Sequence, residues 1–216
     1  MSSPTVNIGF TGLKALLRFK RLGKGKQLTP LELAQREYEA KLATLKDVKP
    51  HILWHRLRLS FTKDKNARNH AENIQMCVLL HILCKFFSQQ TFEVKFYLSR
   101  YIELDVFKTG TIICKEGEVG TRYYIVLSGL INIVVKNPEG AYVVVSNMKN
   151  GAAFGDMALI SNQPRSAACI AQISPTEILS VDKDTFMKIY KKMSMFNTGS
   201  VKFIKTIPVF RHVEYR

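Results

Sequence analysis

From Val106 to Val181 the chain is a succession of short β-branched and aromatic runs cut by glycine-bearing turns about every ten residues, a texture that few folds accommodate. The runs are Thr111–Cys114, Tyr123–Leu127, Ile131–Val135, Tyr142–Val145, Ala167–Ala171 and Glu177–Val181. Turn signals separate them at 108–110, 116–117, 128–129, 137–140 and 149–151, each containing a glycine. Evenly spaced short strands close into a barrel or a jelly roll. One helical insert is expected at 155–160. A last helix is expected from Lys183 to Lys192, with Phe186 and Ile189 turned inward.

What precedes the strands reads as helix. Thr29, Pro30 and Glu32 have the order of a capped helix start with a capping box, and Leu31, Ala34, Tyr38, Leu42 and Leu45 follow at spacings of three and four. Lys49 and Pro50 are expected to end that helix. Residues 51–60 hold the only tryptophan, Trp54, among basic residues. His51 and His55 stand one turn apart, but the Glu of an HExxH metal motif is missing, so both read as packing residues. Residues 61–70 are polar and read as a linker. A buried helix is predicted over Glu72–Phe87 from Ile74, Cys77, Val78, Leu80, Ile82 and Phe86, and a second over Thr91–Leu104. The predicted fold class is therefore α+β: an antiparallel β-roll (a double-stranded, jelly-roll-like barrel) with flanking helices and a helical N-terminal extension.

The formal net charge is +15, and residues 1–70 carry most of it, with 15 Lys/Arg against 5 Asp/Glu. Residues 12–21 suit a short basic amphipathic helix, and no acid precedes Glu32. Such an arm fits an anionic lipid, nucleic acid or acidic protein surface, or is a plainly solvated tail. A mitochondrial transit peptide is the alternative reading. No apolar run reaches the length of about 18 residues that a membrane span needs. The four cysteines lack CxxC spacing, and no secretory signal precedes them, which favours free thiols in a reducing compartment. A cytosolic location is the expectation. The histidines show no zinc-ligand spacing, so no metal site is expected.

Residues 151–168 carry the chemistry. Gly155 permits a strained turn or a close backbone approach, and a short helix after it would aim free N–H groups at an anion. About ten residues on, Pro164 fixes the chain before Arg165, whose planar fork suits two phosphate oxygens. An acid at the same helix start, Asp156, can accept from sugar hydroxyls. Together these groups describe a pocket for a ribose-phosphate.

This segment resembles the phosphate-binding cassette of the cyclic-nucleotide-binding domain family, which includes protein kinase A regulatory subunits, nucleotide-gated channels and bacterial catabolite activators. The family pattern runs Phe-Gly-Glu-hydrophobic-Ala-Leu, a loop, then Pro-Arg-small-Ala, and Phe154, Gly155, Ala158, Leu159, Pro164, Arg165 and Ala167 match it. Upstream, Gly110, the run Glu116–Gly120, Tyr124–Val126 and Ser128-Gly129 fall in the family's order. The resemblance covers about 120 residues. It implies that Arg165 pairs with the cyclic phosphate, that the amides around Met157 and Ala158 also hold it, and that Gly155 lies against the ribose. Asp156 stands where the family has the Glu that accepts from the ribose 2′-hydroxyl, and it is one methylene shorter. Val143 or Val145 would wall the base. Ser166 follows the Arg, where Thr goes with cGMP and Ala with cAMP; its hydroxyl without the methyl leaves both open, with cAMP favoured.

The resemblance also sets the domain organisation: a basic flexible tail over 1–28, a helical extension over 29–70, the cyclic-nucleotide-binding domain over 71–195, and a linker with the start of a truncated second domain over 196–216. That last expectation rests on residues 201–210, which resemble the helix opening a second roll. The implied function is a non-catalytic cAMP or cGMP sensor, with no cofactor beyond the ligand, that signals to an unnamed protein effector through its flanking helices. A degenerate roll serving as a scaffold is the alternative. No His neighbours a cassette serine, no His/Asp cluster suits a phosphodiesterase, and no helix-turn-helix follows the roll, so neither catalysis nor sequence-specific DNA binding is expected.

Overall fold

A computed structural model describes residues 28–45 and 47–195. The expectations for the basic stretch at 12–21 and for the segment 196–216 lie outside the described residues. Among those described, seven α-helices accompany eight strands in two four-stranded antiparallel sheets. The expected α+β roll is what the chain forms.

The first helix, α1 (Pro30–Leu45), starts as its sequence requires: the Glu32 N–H donates to Thr29 Oγ1 (3.3 Å) and the Thr29 N–H to Glu32 Oε2 (2.7 Å). It buries Ala34, Tyr38 and Leu45. Pro50 does more than stop α1. It opens a second helix, α2 (Pro50–Ser60), because its missing N–H costs nothing at a first helical position. Residues 51–60 are thus helical, with Leu53 and Leu57 buried one turn apart. The expected linker at 61–70 is also partly structured. A single 3-10 turn spans Lys65–Ala67, and Arg68 is buried, its Nη1 donating to the Ile102 carbonyl at 3.0 Å and its guanidinium lying over the Phe61 ring.

Helix α3 (His70–Leu83) begins at a second capping box, Asn69 with Glu72, and is the centre of the helical layer. It buries Ile74, Met76, Cys77, Val78, Leu79 and Leu80, and α1, α2 and α5 (Phe92–Tyr101) all pack on it. The expected helix over 72–87 breaks at Cys84, whose backbone is extended, and resumes as the short α4 (Lys85–Ser88). Helix α5 stops at Tyr101 instead of Leu104, because residues 103–107 enter the roll as a strand.

The roll comprises β1 (Glu103–Phe107), β2 (Ile112–Cys114), β3 (Arg122–Ser128), β4 (Leu130–Lys136), β5 (Tyr142–Lys149), β6 (Ala153–Phe154), β7 (Ala168–Ala171) and β8 (Thr176–Asp182). One sheet has the order β1-β8-β3-β6 and the other β2-β7-β4-β5. Helix α6 (Asp156–Ile160) interrupts the strands between β6 and β7, and α7 (Lys183–Met195) closes the described chain. Two cores result. Cys114, Tyr124, Val126, Ile131, Phe154, Cys169 and Ile178 fill the inside of the roll. A larger cluster runs from Ala34 on α1 through α3 to Tyr123, Leu179 and Phe186, so the N-terminal helices and the back of the roll share one apolar interior. Arg58 of α2 clamps that junction with two bonds to the buried Glu177 carboxylate, 2.7 and 3.0 Å, to which Ser128 also donates.

Because the interior is shared, a cavity in the extension should weaken the whole. Leu57→Ala is expected to lower the unfolding free energy by about 2–5 kcal/mol. In urea, Trp54 fluorescence and far-UV circular dichroism should still report one coincident transition. Two separated transitions would show that the extension melts on its own.

Candidate functional site

The cassette hangs between β6 and β7, and its geometry starts from Gly155. This residue has φ +89° and caps α6, a left-handed conformation that side chains rarely adopt. A Cβ here would also fall on Arg165 Nη1 and within 3.2 Å of the Arg122 carbonyl. Gly120 is required for a similar reason: a Cβ there would sit 2.8 Å from Ala158 Cβ and 3.3 Å from Arg165 Cζ. Two glycines therefore let the backbones of β6–α6 and of residues 117–120 close around one guanidinium.

That guanidinium belongs to Arg165, which is 5% exposed. Its Nη1 donates to the Gly155 carbonyl (2.7 Å) and its Nη2 to the Arg122 carbonyl (2.6 Å), and the fork lies over the Tyr124 ring. The Arg165 backbone is fixed too: its N–H donates to the Glu118 carbonyl, and its carbonyl accepts from the Gly117 N–H, both at 2.8 Å. Next to it, Pro164 bridges Val119. The charge is thus satisfied by backbone oxygens, and Nε is buried without a hydrogen-bond partner.

Asp156 is 3% exposed and lies at the first turn of α6. The backbone amides of Asp156 and Met157 act electrostatically on its carboxylate, while Oδ2 is buried and without a hydrogen-bond partner. Burial raises its pKa, against the pull of those amides and of Arg165. The acid also bears on Tyr123, whose phenol is pushed well up, first by burial and then by the Asp156 charge.

The other expected residues divide by exposure. Phe154 is buried and stacks on Tyr124 at 5.0 Å. Ala158 and Leu159 are buried against Gly120 and the larger core. Met157, Pro164 and Ser166 are exposed, and Ala167 is half-buried. Val143 and Val145 stand apart from these on the edge strand β5, two strands from β7, and are 45% and 56% exposed. Register pairs Val143 with Val135, and Val145 is the extra residue of a bulge against β4. Alternation along β4 puts Val135, and with it Val143, on the face of Ile131 and Ile133 that lines the roll. Sequence reasoning missed Arg122, Tyr124 and Gly120 as parts of the site. Tyr124 and Gly120 stand in runs that match the family's order without a site role being assigned to them, and Arg122 contributes a carbonyl, which no side-chain pattern reveals.

Among the described residues, no group of three His, Cys, Asp or Glu side chains could hold a metal ion. No described helix is long and apolar enough to cross a membrane.

Residues 104–193 match the family model described as a cyclic nucleotide-binding domain. The chain is 32% identical over 154 residues to a cGMP-dependent protein kinase of Eimeria tenella, covering 69% of this chain and 14% of that protein. It is 28% identical over 114 residues to a cAMP-dependent protein kinase regulatory subunit of Dictyostelium discoideum, covering 50% of this chain and 33% of that one. The match therefore spans no more than a third of either relative. A solved structure, the regulatory subunit of a cAMP-independent protein kinase A from Trypanosoma brucei, is similar with a TM-score of 0.53 and 18% identity, covering 68% of this chain and 53% of that chain. At that identity the likeness concerns the fold.

Two outcomes follow from the buried charges. Arg165→Ala strands the Gly155 and Arg122 carbonyls and should cost about 1–3 kcal/mol in urea unfolding without any ligand. Arg165→Lys should not restore this, because an ammonium lacks the fork that reaches both. For Asp156, a raised native pKa means that the folded chain holds the proton to higher pH than the unfolded one. Its contribution to stability therefore falls as pH rises from about 3.9, the unfolded value, through the native value. Asp156→Asn should flatten that part of the curve of melting temperature against pH.

Proposed function

Because residues 104–193 belong to the cyclic nucleotide-binding domain family, we propose that this chain is a non-catalytic sensor whose cassette takes the ribose-phosphate of a cyclic nucleotide. One observation carries the reading: two buried polar atoms of the cassette, Arg165 Nε and Asp156 Oδ2, have no partner. One is a donor that requires an acceptor, and the other is an acceptor that requires a donor. Buried groups of this kind are rarely left unsatisfied. A cyclic nucleotide offers both complements a few bonds apart, in its phosphate oxygens and its ribose 2′-hydroxyl. The spare N–H groups on Arg165 Nη1 and Nη2 add donors for the same phosphate.

The shorter acid at 156 shapes the site's strength. Its carboxylate is drawn toward the Asp156 and Met157 amides, which a phosphate would otherwise use. Binding then requires an exchange of partners at the start of α6, which weakens affinity. The exposed Ser166 hydroxyl is free to meet a base edge, and the lining valine Val143 offers the base an apolar wall. We favour cAMP over cGMP, since Ser166 lacks the methyl that goes with guanine preference in the family.

The output runs through α7. Lys183, its first residue, donates from Nζ to Asn162 Oδ1 in the cassette loop (2.8 Å) and from its backbone N–H to the Thr121 carbonyl (2.9 Å). Tyr123, beside Asp156, packs on Phe186 of α7 at 4.6 Å. A ligand that redirects the Asp156 carboxylate toward its hydroxyl changes the charge beside Tyr123, and α7 rests on that ring. The position of α7 is then what a protein effector would read. The four free thiols suit a reducing compartment such as the cytosol.

Thermal unfolding with cAMP, cGMP and 5′-AMP, each from micromolar to millimolar, tests the reading. A ligand that binds only the folded state stabilises it by about 2.7 kcal/mol at one hundred times Kd. We expect a higher melting temperature with cyclic nucleotides, most with cAMP, and none with 5′-AMP. A flat response up to millimolar would make the roll a scaffold without ligand.

A further inference from the structure

We propose that Cys114 and Cys169, facing each other inside the roll, are a reversible dithiol–disulfide site. They are cross-strand Cα partners of β2 and β7, next to the register shift between Ile112 and Cys114, and both are buried in the core inside the roll. Opposed residues of an antiparallel pair have Cα atoms about 4.5–5.5 Å apart, within the roughly 4.4–6.8 Å that a disulfide spans. The bond can therefore form without moving either strand far. The remaining cysteines differ. Cys77 lies on α3 and Cys84 at its C-terminal cap, seven residues along and about 10 Å further up the axis, which no disulfide bridges.

The chemistry is selective as well. The Cys114 thiol is held below its usual range, chiefly because its thiolate accepts a hydrogen bond from the Cys169 thiol, with the Arg165 charge assisting. Cys169, as the donor, is raised. Burial pushes Cys77 to about 12. With Cys114 attacking first, Cys169 is the resolving thiol, and the reverse order gives the same disulfide. The oxidant is hydrogen peroxide, small enough for groups that are 3% and 5% exposed. The Cys114 sulfur attacks the peroxide, an S–O bond forms as the O–O bond breaks, and the departing hydroxide takes the Cys114 proton to leave as water. The Cys169 sulfur then attacks the sulfenic sulfur, the S–S bond forms as the S–O bond breaks, and a second water leaves with the Cys169 proton. Two electrons pass from the thiols to the peroxide, and a dithiol reductant reverses the change by exchange.

The link would matter where it lies. β2 leads into residues 117–118, which bond both ways to the Arg165 backbone, and β7 begins three residues after Arg165. Oxidation would join the two chain segments that frame the guanidinium. The assignment is independent of whether a nucleotide binds there.

The test uses the full native chain exposed to graded hydrogen peroxide, followed by alkylation of remaining thiols and peptide mapping without reductant. We expect two of the four thiols to become unavailable to the alkylating agent, a Cys114–Cys169 peptide pair that dithiothreitol abolishes, and Cys77 and Cys84 alkylated after unfolding. Cys169→Ala and Cys114→Ala should each abolish the pair, because the remaining thiol has no partner with which to form a disulfide. In urea the pairing should become unselective, which separates a property of the fold from one of the sequence. Both thiols left reduced at every dose that preserves the fold, or disulfides scrambled among all four cysteines in the native chain, would overturn the proposal.

Discussion

The structure depends on placing one buried cation where no carboxylate contacts it. Arg165 spends two donors on the carbonyls of Gly155 and Arg122, and its fork lies over Tyr124. Removing a guanidinium from water is expensive unless its hydrogen bonds are replaced. The replacement here is backbone, and that dictates much around it. Gly155 must be left-handed to turn its carbonyl inward, Gly120 must lack a side chain to let the loop close, and β3 must present the Arg122 carbonyl at the right height. The roll is built around a guanidinium whose Nη groups are held by backbone oxygens and whose Nε is buried without a partner.

How far the sequence revealed this varies from element to element. The strands of the roll were legible because β-branched runs and glycine turns alternate there with little ambiguity. The cassette was legible because Phe154, Gly155, Pro164 and Arg165 keep a fixed order. β1 was not: residues 103–107 follow a helix without a turn signal, and their role depends on pairing with β8, some seventy residues away along the chain. Helix α2 was hidden because Pro50 reads equally as a stop for one helix and a start for the next. The site's deeper layer was least legible. Arg122 acts through a carbonyl, and the burial of Asp156 is set by tertiary packing that its residue type does not announce.

The helical layer is more than a preface to the roll. Its apolar interior continues through α3 and α4 into Tyr123, and from there into α7 by way of Phe186. The Arg58–Glu177 clamp fixes the same seam from the outside. Tyr123 consequently packs both ways, on Phe86 of the N-terminal helical layer and on Phe186 of the C-terminal helix.

The carbonyl grip on Arg165 also bears on how such a cassette ages in a lineage. A residue needed for one purpose is lost when that purpose lapses, whereas one needed for two persists. Arg165 supports the fold through Gly155 and Arg122 whether or not a nucleotide is present, and Gly155 is held by its backbone conformation even if the arginine is replaced. Their conservation would therefore outlast ligand binding. Drift away from nucleotide service would register first at positions that the fold does not need, the exposed Met157 and Ser166, and those are the columns in which a family history of this chain should be read.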